Sequence, residues 1–110
     1  MTRMTAILLA LALNGWVLSQ PVAAQSPVER GLAIAEKQCA RCHAIGREGA
    51  SPLPLAVPFR ELAKRYPVQQ LGEALAEGIV TGHPAMPEFS FEPPEIEALL
   101  AYLESLHRPD

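Results

Sequence analysis

Apolar residues recur at helical spacing in four stretches of the chain. In the first, Val28, Leu32, Ala35 and Cys39 share one face, while Glu29, Arg30, Glu36 and Lys37 fall outside it. Ser26-Pro27-Val28-Glu29 has the form of a capping box with proline at the first helical position, so a helix is predicted from Pro27 to about Cys42. Phe59, Leu62, Ala63 and Tyr66 mark a short second helix, which Pro67 ends. Val68, Leu71, Leu75 and Ile79 mark a third, with Gly78 as its C-cap. The last opens at Pro93-Pro94, carries Glu95 and Glu97 in its first turn, and has Ile96, Leu99, Leu100, Leu103 and Leu106 as its buried stripe. No stretch shows the two-residue alternation of a strand, and no internal repeat is present. The expected fold class is all-α.

Between the helices lie two irregular segments. Gly46, Gly49, Pro52, Pro54 and Pro58 make a stiffened loop after the first helix. Thr81-Gly82-His83-Pro84-Ala85-Met86-Pro87 makes another. The first two dozen residues read as an export signal: Arg3 is a positive start, Ala6 to Leu13 an apolar run resumed at Trp16 to Leu18, and Val22-Ala23-Ala24 a small-residue cleavage site. The expected division is residues 1–24 as a cleaved signal and 25–110 as one domain. The apolar run is too short and interrupted for a membrane span, although its retention as an anchor is the alternative. No second apolar span follows, so the mature chain is expected to be a soluble monomer of the periplasm.

Cleavage would leave a domain too small for a self-sufficient core, and domains of that size use disulfides, a metal or a cofactor as a staple. The whole chain has a formal net charge of −3. The charge is unevenly spread. Glu29 to Arg65 holds seven basic and four acidic residues, whereas Tyr66 to Asp110 holds Arg108 against eight acidic ones. Such asymmetry orients a molecule in a partner's field. It gives no basic excess, and aromatic content is low, so nothing points to nucleic acid and none is expected as a partner.

The chemistry concentrates in Cys39-Ala40-Arg41-Cys42-His43. Two cysteines three apart share a face of a helical turn, and a histidine directly after them completes the attachment sequence for c-type haem. Cys39 and Cys42 would each form a thioether with a vinyl group, and His43 would ligate the iron. A zinc site wants four ligands, and only two cysteines exist. A thioredoxin-like motif wants a βαβ context that is absent. A plain disulfide leaves the adjacent histidine unexplained. The other N–H of a ligating imidazole needs an acceptor, for which the backbone carbonyl of Pro52 stands as the candidate, against a reading of that proline as a loop stiffener only.

Met86 is the only methionine beyond the signal segment, held between Ala85 and Pro87. It is expected as the second axial ligand, because Met/His is a common haem pair. His83 is its rival, and His107 falls at the end of the last helix, where it would meet the helix dipole.

On Cys39-Ala40-Arg41-Cys42-His43, on Met86-Pro87 and on helices at both ends, the segment Gln25 to Asp110 resembles a small class I (monohaem) bacterial cytochrome c. The resemblance implies first and last helices crossing at Gly31, with Leu99 and Tyr102 opposite, and short helices and loops wrapping one covalently bound haem c and its iron. Many members carry an aromatic four residues before the first cysteine. Ala35 stands there, which leaves Phe89 or Phe91 to fill the crossing. The implied function is electron transfer, not catalysis, between a dehydrogenase or respiratory complex and an oxidase or other terminal acceptor. The alternatives are a dedicated subunit of a periplasmic oxidoreductase, or a haem-based gas binder if Met86 is labile. Lys37, Arg41 and Arg47 are expected to form a docking face for an acidic partner.

Overall fold

The computed structural model describes residues 19–78 and 85–108. Four helices lie within them: α1 (Pro27–Gln38), α2 (Phe59–Arg65), α3 (Val68–Glu77) and α4 (Pro93–Ser105). No strand occurs among the described residues, so the fold is all-α as the periodicity requires. The expected signal segment lies mostly outside the described residues. Residues 19–25 are exposed and carry no regular structure.

Each helix starts where local chemistry permits it. Ser26 Oγ accepts from the Glu29 N–H at 3.2 Å, and Glu29 Oε2 accepts from the Ser26 N–H at 2.7 Å. That second bond holds the Glu29 carboxyl below its usual range. At α4 the same device recurs with Glu95 Oε2 accepting from the Glu92 N–H at 2.9 Å, ahead of Pro93. Helices α2 and α3 begin directly after Pro58 and Pro67 and carry no side-chain cap. Gly78 ends α3 with φ +89°, a backbone conformation that a side chain would resist.

Helix α1 is shorter than its periodicity suggests. It stops at Gln38, because the N–H groups of Cys39 and Ala40 both turn back to the Ala35 carbonyl at 2.9 Å. The chain then makes one separate turn, in which the Cys39 carbonyl accepts from the N–H groups of Cys42 (3.1 Å) and His43 (3.0 Å). Both cysteines therefore still share one side of a turn, but of a turn distinct from α1.

The principal packing is α1 against α4, followed by α3 against α4. Gly31 sits at the first contact. A Cβ there would overlap the Ala98 carbonyl oxygen and lie 2.7 Å from Tyr102 Cβ. The crossing thus uses Gly31 and Tyr102 as the resemblance implies, with the Ala98 backbone as the nearest opposing surface, while Leu99 contributes to the wall of a cavity below. Ala35 is fully buried. Phe89 and Phe91 do not fill the crossing. They stack on one another with ring centroids 5.8 Å apart and line the same cavity.

Gly31→Ala forces the helices apart and should destabilise the protein by about 1–3 kcal/mol or more. A lower denaturant midpoint with an unchanged slope is the expected result; an unchanged midpoint would show that the crossing yields freely.

Candidate haem-binding site

The turn after α1 delivers Cys39, Cys42 and His43 to the edge of a cavity of about 810 Å³. Met86, on the segment leading into α4, lines the same cavity. The four residues singled out in the sequence are thus brought together, and all four are half-buried. His83 lies outside the described residues. Burial pushes the Cys39 thiol up to about 11, so it stays protonated at neutral pH in the unreacted chain. Both cysteines are free thiols. No cluster of three or more His, Cys, Asp or Glu side chains fit to hold a metal ion occurs among the described residues.

His43 is held from two sides. Its Nδ1 lies 2.7 Å from the Val57 carbonyl oxygen. A carbonyl can only accept, so the proton sits on Nδ1 and the Nε2 lone pair is left for a metal. The ring also lies against Phe59, with centroids 5.4 Å apart and planes tilted by 53°. The acceptor is Val57 and not Pro52. Pro52 is exposed, and the loop folds back instead through the Leu53 N–H, which donates to the Cys42 carbonyl at 3.1 Å. Phe59 N–H donates to the Ala44 carbonyl at 2.9 Å, which brings Val57 beside the imidazole.

Two further ties hold this loop to α4. Tyr102 Oη donates to the Ile45 carbonyl at 2.6 Å. Arg47 donates to the carbonyls of Ser105 (2.8 Å) and Arg108 (3.2 Å), which are unpaired at the helix end. Arg47 is thus engaged at the end of α4, whereas Lys37 and Arg41 stand on the cavity wall. Arg47 also fills the place at the α4 terminus expected of His107, which is exposed and engages Glu104 through its backbone N–H. A single basic residue in a glycine-containing loop was the only sequence signal for that cap. The Val57 carbonyl had none, since every residue carries one.

The cavity suits haem on three counts. Its volume falls in the range of cofactor pockets. Its lining is largely apolar, with Phe59, Leu71, Leu75, Phe91, Leu99 and Leu103 among the wall residues. Its donor set is two thiols, an imidazole with its tautomer fixed, and a thioether, the combination that c-type haem uses.

Comparison with known proteins agrees. Residues 26–103 match the family described as cytochrome c oxidase, cbb3-type, subunit III. A curated relative from Synechocystis sp., described as cytochrome c-553-like, is 30% identical over 106 residues, covering 91% of this chain and 93% of the relative. No solved structure matches.

Tyr102→Phe removes one bond to the histidine loop and should cost about 1 kcal/mol. Burial raises the Tyr102 pKa, so the neutral phenol is favoured by folding. The wild type should therefore keep this contribution below about pH 10, the ordinary phenol value, and lose it as pH rises through the raised one. Unfolding curves taken across that range should show an alkaline loss in the wild type that is smaller in Tyr102→Phe.

Proposed function

The chain belongs to the cytochrome c family that the description cytochrome c oxidase, cbb3-type, subunit III covers, and from that premise we propose that it carries single electrons on one covalently bound haem c with His43 and Met86 as axial ligands. The observation that carries this reading is the convergence of Cys39, Cys42, His43 and Met86 on one apolar cavity.

The bound haem supplies an iron that takes up and releases one electron. The chain's own residues do the rest. Cys39 and Cys42 would hold the porphyrin by two thioethers, so that the cofactor could not leave with a partner. His43 presents Nε2, while the Nδ1–H bond to Val57 makes the imidazole a stronger donor and prevents its rotation. Met86 presents a neutral thioether, which favours the reduced iron relative to a second imidazole and raises the potential. The apolar wall works in the same direction, because the oxidised state carries the extra charge. His43 and Met86 together would hold the iron and leave it no free position for a substrate. Transfer through the edge at Cys39 and Cys42 is then the chemistry available.

Lys37 and Arg41 lie exposed at that edge. They form the docking face for an acidic redox partner: a dehydrogenase or respiratory complex on one side and an oxidase or other acceptor on the other. Among the described residues no helix is long and apolar enough to cross a membrane. Helix α1 begins only two residues past Gln25. With this goes a mature domain of residues 25–110, a monomer acting in the periplasm after cleavage of the signal at Ala24. A second reading, service as a haem subunit within an oxidase or other oxidoreductase complex, is favoured by the family description, which names an oxidase subunit.

In the oxidised holoprotein the weak long-wavelength band of an iron–thioether bond should be present, and it should vanish in Met86→Ala. Its absence from the wild type would remove Met86 as the ligand. Electron transfer to an acidic partner should slow as ionic strength rises, and the slope should flatten in the double variant Lys37→Gln/Arg41→Gln. A rate indifferent to salt would remove the docking face.

A further inference from the structure

We propose that Ser51 is a positioning residue for the His43 imidazole: its hydroxyl fixes the peptide bond that leaves His43, and with it the geometry of the bond from Nδ1 to the Val57 carbonyl. The proposal rests on the haem reading above.

The backbone around His43 is clamped on both sides. The His43 N–H donates to the Cys39 carbonyl at 3.0 Å, and the Cys42 carbonyl accepts from the Leu53 N–H at 3.1 Å. The Ala44 carbonyl accepts from the Phe59 N–H at 2.9 Å. These are backbone bonds, which a side-chain substitution leaves in place. The Ala44 N–H differs, because it donates to a side chain, Ser51 Oγ, at 3.0 Å. Ser51 precedes Pro52, which biases its backbone towards the extended region and so limits the positions open to the hydroxyl.

The Ala44 N–H matters because of the peptide it belongs to. That peptide begins at the His43 carbonyl, so its orientation follows the backbone ψ of His43 and fixes the imidazole relative to the chain beyond. Ala44 also anchors the acceptor. Its carbonyl holds Phe59, two residues past Val57, and the Val57 carbonyl lies 2.7 Å from His43 Nδ1. Ring and acceptor are thus both referred to Ala44, and Ser51 holds the other polar group of that residue. Ala44 is buried and Ser51 half-buried, so an Ala44 N–H deprived of the hydroxyl would pay for its desolvation. The Nδ1–Val57 bond would then loosen. A weaker bond there makes the imidazole a poorer donor, which stabilises oxidised iron less and raises the potential.

The test compares holoproteins: the wild type, Ser51→Ala, Ser51→Thr and Ser26→Ala. Ser26→Ala removes a hydroxyl of the same kind from the cap of α1 and controls for lost stability. In Ser51→Ala the exchange of the His43 Nδ1 proton, followed by NMR in the reduced state, should quicken roughly fivefold, the factor for one net hydrogen bond. Its midpoint potential should rise. Ser51→Thr, which keeps the hydroxyl, should stay with the wild type. Ser26→Ala should lower the denaturant midpoint and leave exchange and potential unchanged. Wild-type exchange and potential in Ser51→Ala would overturn the role. So would equal shifts in Ser26→Ala, or a Ser51→Thr protein that behaves like Ser51→Ala. The mass of the denatured wild type separates this role from the haem reading. A chain without covalent haem overturns both. A haem-bearing chain in which Ser51→Ala matches the wild type overturns the positioning role alone.

Discussion

The approach of α1 to α4 at Gly31 is the constraint on which the remaining structure depends. With no Cβ in the way, the α1 backbone lies directly on the Ala98 carbonyl and the base of Tyr102. That contact sets where α1 ends relative to α4, and hence where the turn bearing Cys39 and Cys42 is delivered. It also places the Tyr102 phenol within reach of Ile45, two residues past His43. One backbone-to-backbone contact thus positions the thiols directly and the imidazole through a single hydrogen bond.

Around that crossing the protein builds a shell. The buried side chains include four alanines, and among the described residues no large side chain is completely enclosed. Larger apolar residues such as Phe59, Phe91, Leu99 and Leu103 belong to the buried cluster and at the same time line the cavity. A domain this small gains little from such a core by itself. A large apolar cofactor, fixed covalently, would supply the missing contacts, which is why stability and electron transfer meet in the same cavity. The segment after His43 follows the same logic, since its backbone bonds at Cys42 and Ala44 and its ties to α4 replace the packing that an irregular loop lacks.

Charge is distributed by position and not by total. The chain is acidic, yet among the described residues the charged side chains on the largely apolar cavity wall are all cations. Arg47, chemically similar to the others, does different work because it faces the carbonyls at the end of α4. Arginine is therefore a helix cap at one place and an exposed charge on the cavity wall at others. What separates them is whether carbonyls, solvent or the cavity lies in front.

Much was legible in the residues alone. Periodicity and proline placement located α2, α3 and α4, because each helix begins at or directly after a proline and buries a regularly spaced face. The Cys39-Ala40-Arg41-Cys42-His43 order pointed to the family that the comparisons show, since covalent attachment and ligation would need those atoms within one turn of chain. Met86 was singled out as the one methionine beyond residue 24, and it lines the cavity. The end of α1 was missed, because Cys39 to Cys42 keeps helical spacing while its hydrogen bonds already belong to a separate turn. The Val57 carbonyl, the Arg47 cap and the destination of Phe89 and Phe91 were decided only by the tertiary structure. A backbone acceptor has no letter of its own in a sequence, and the target of a side chain depends on which distant segment folds against it.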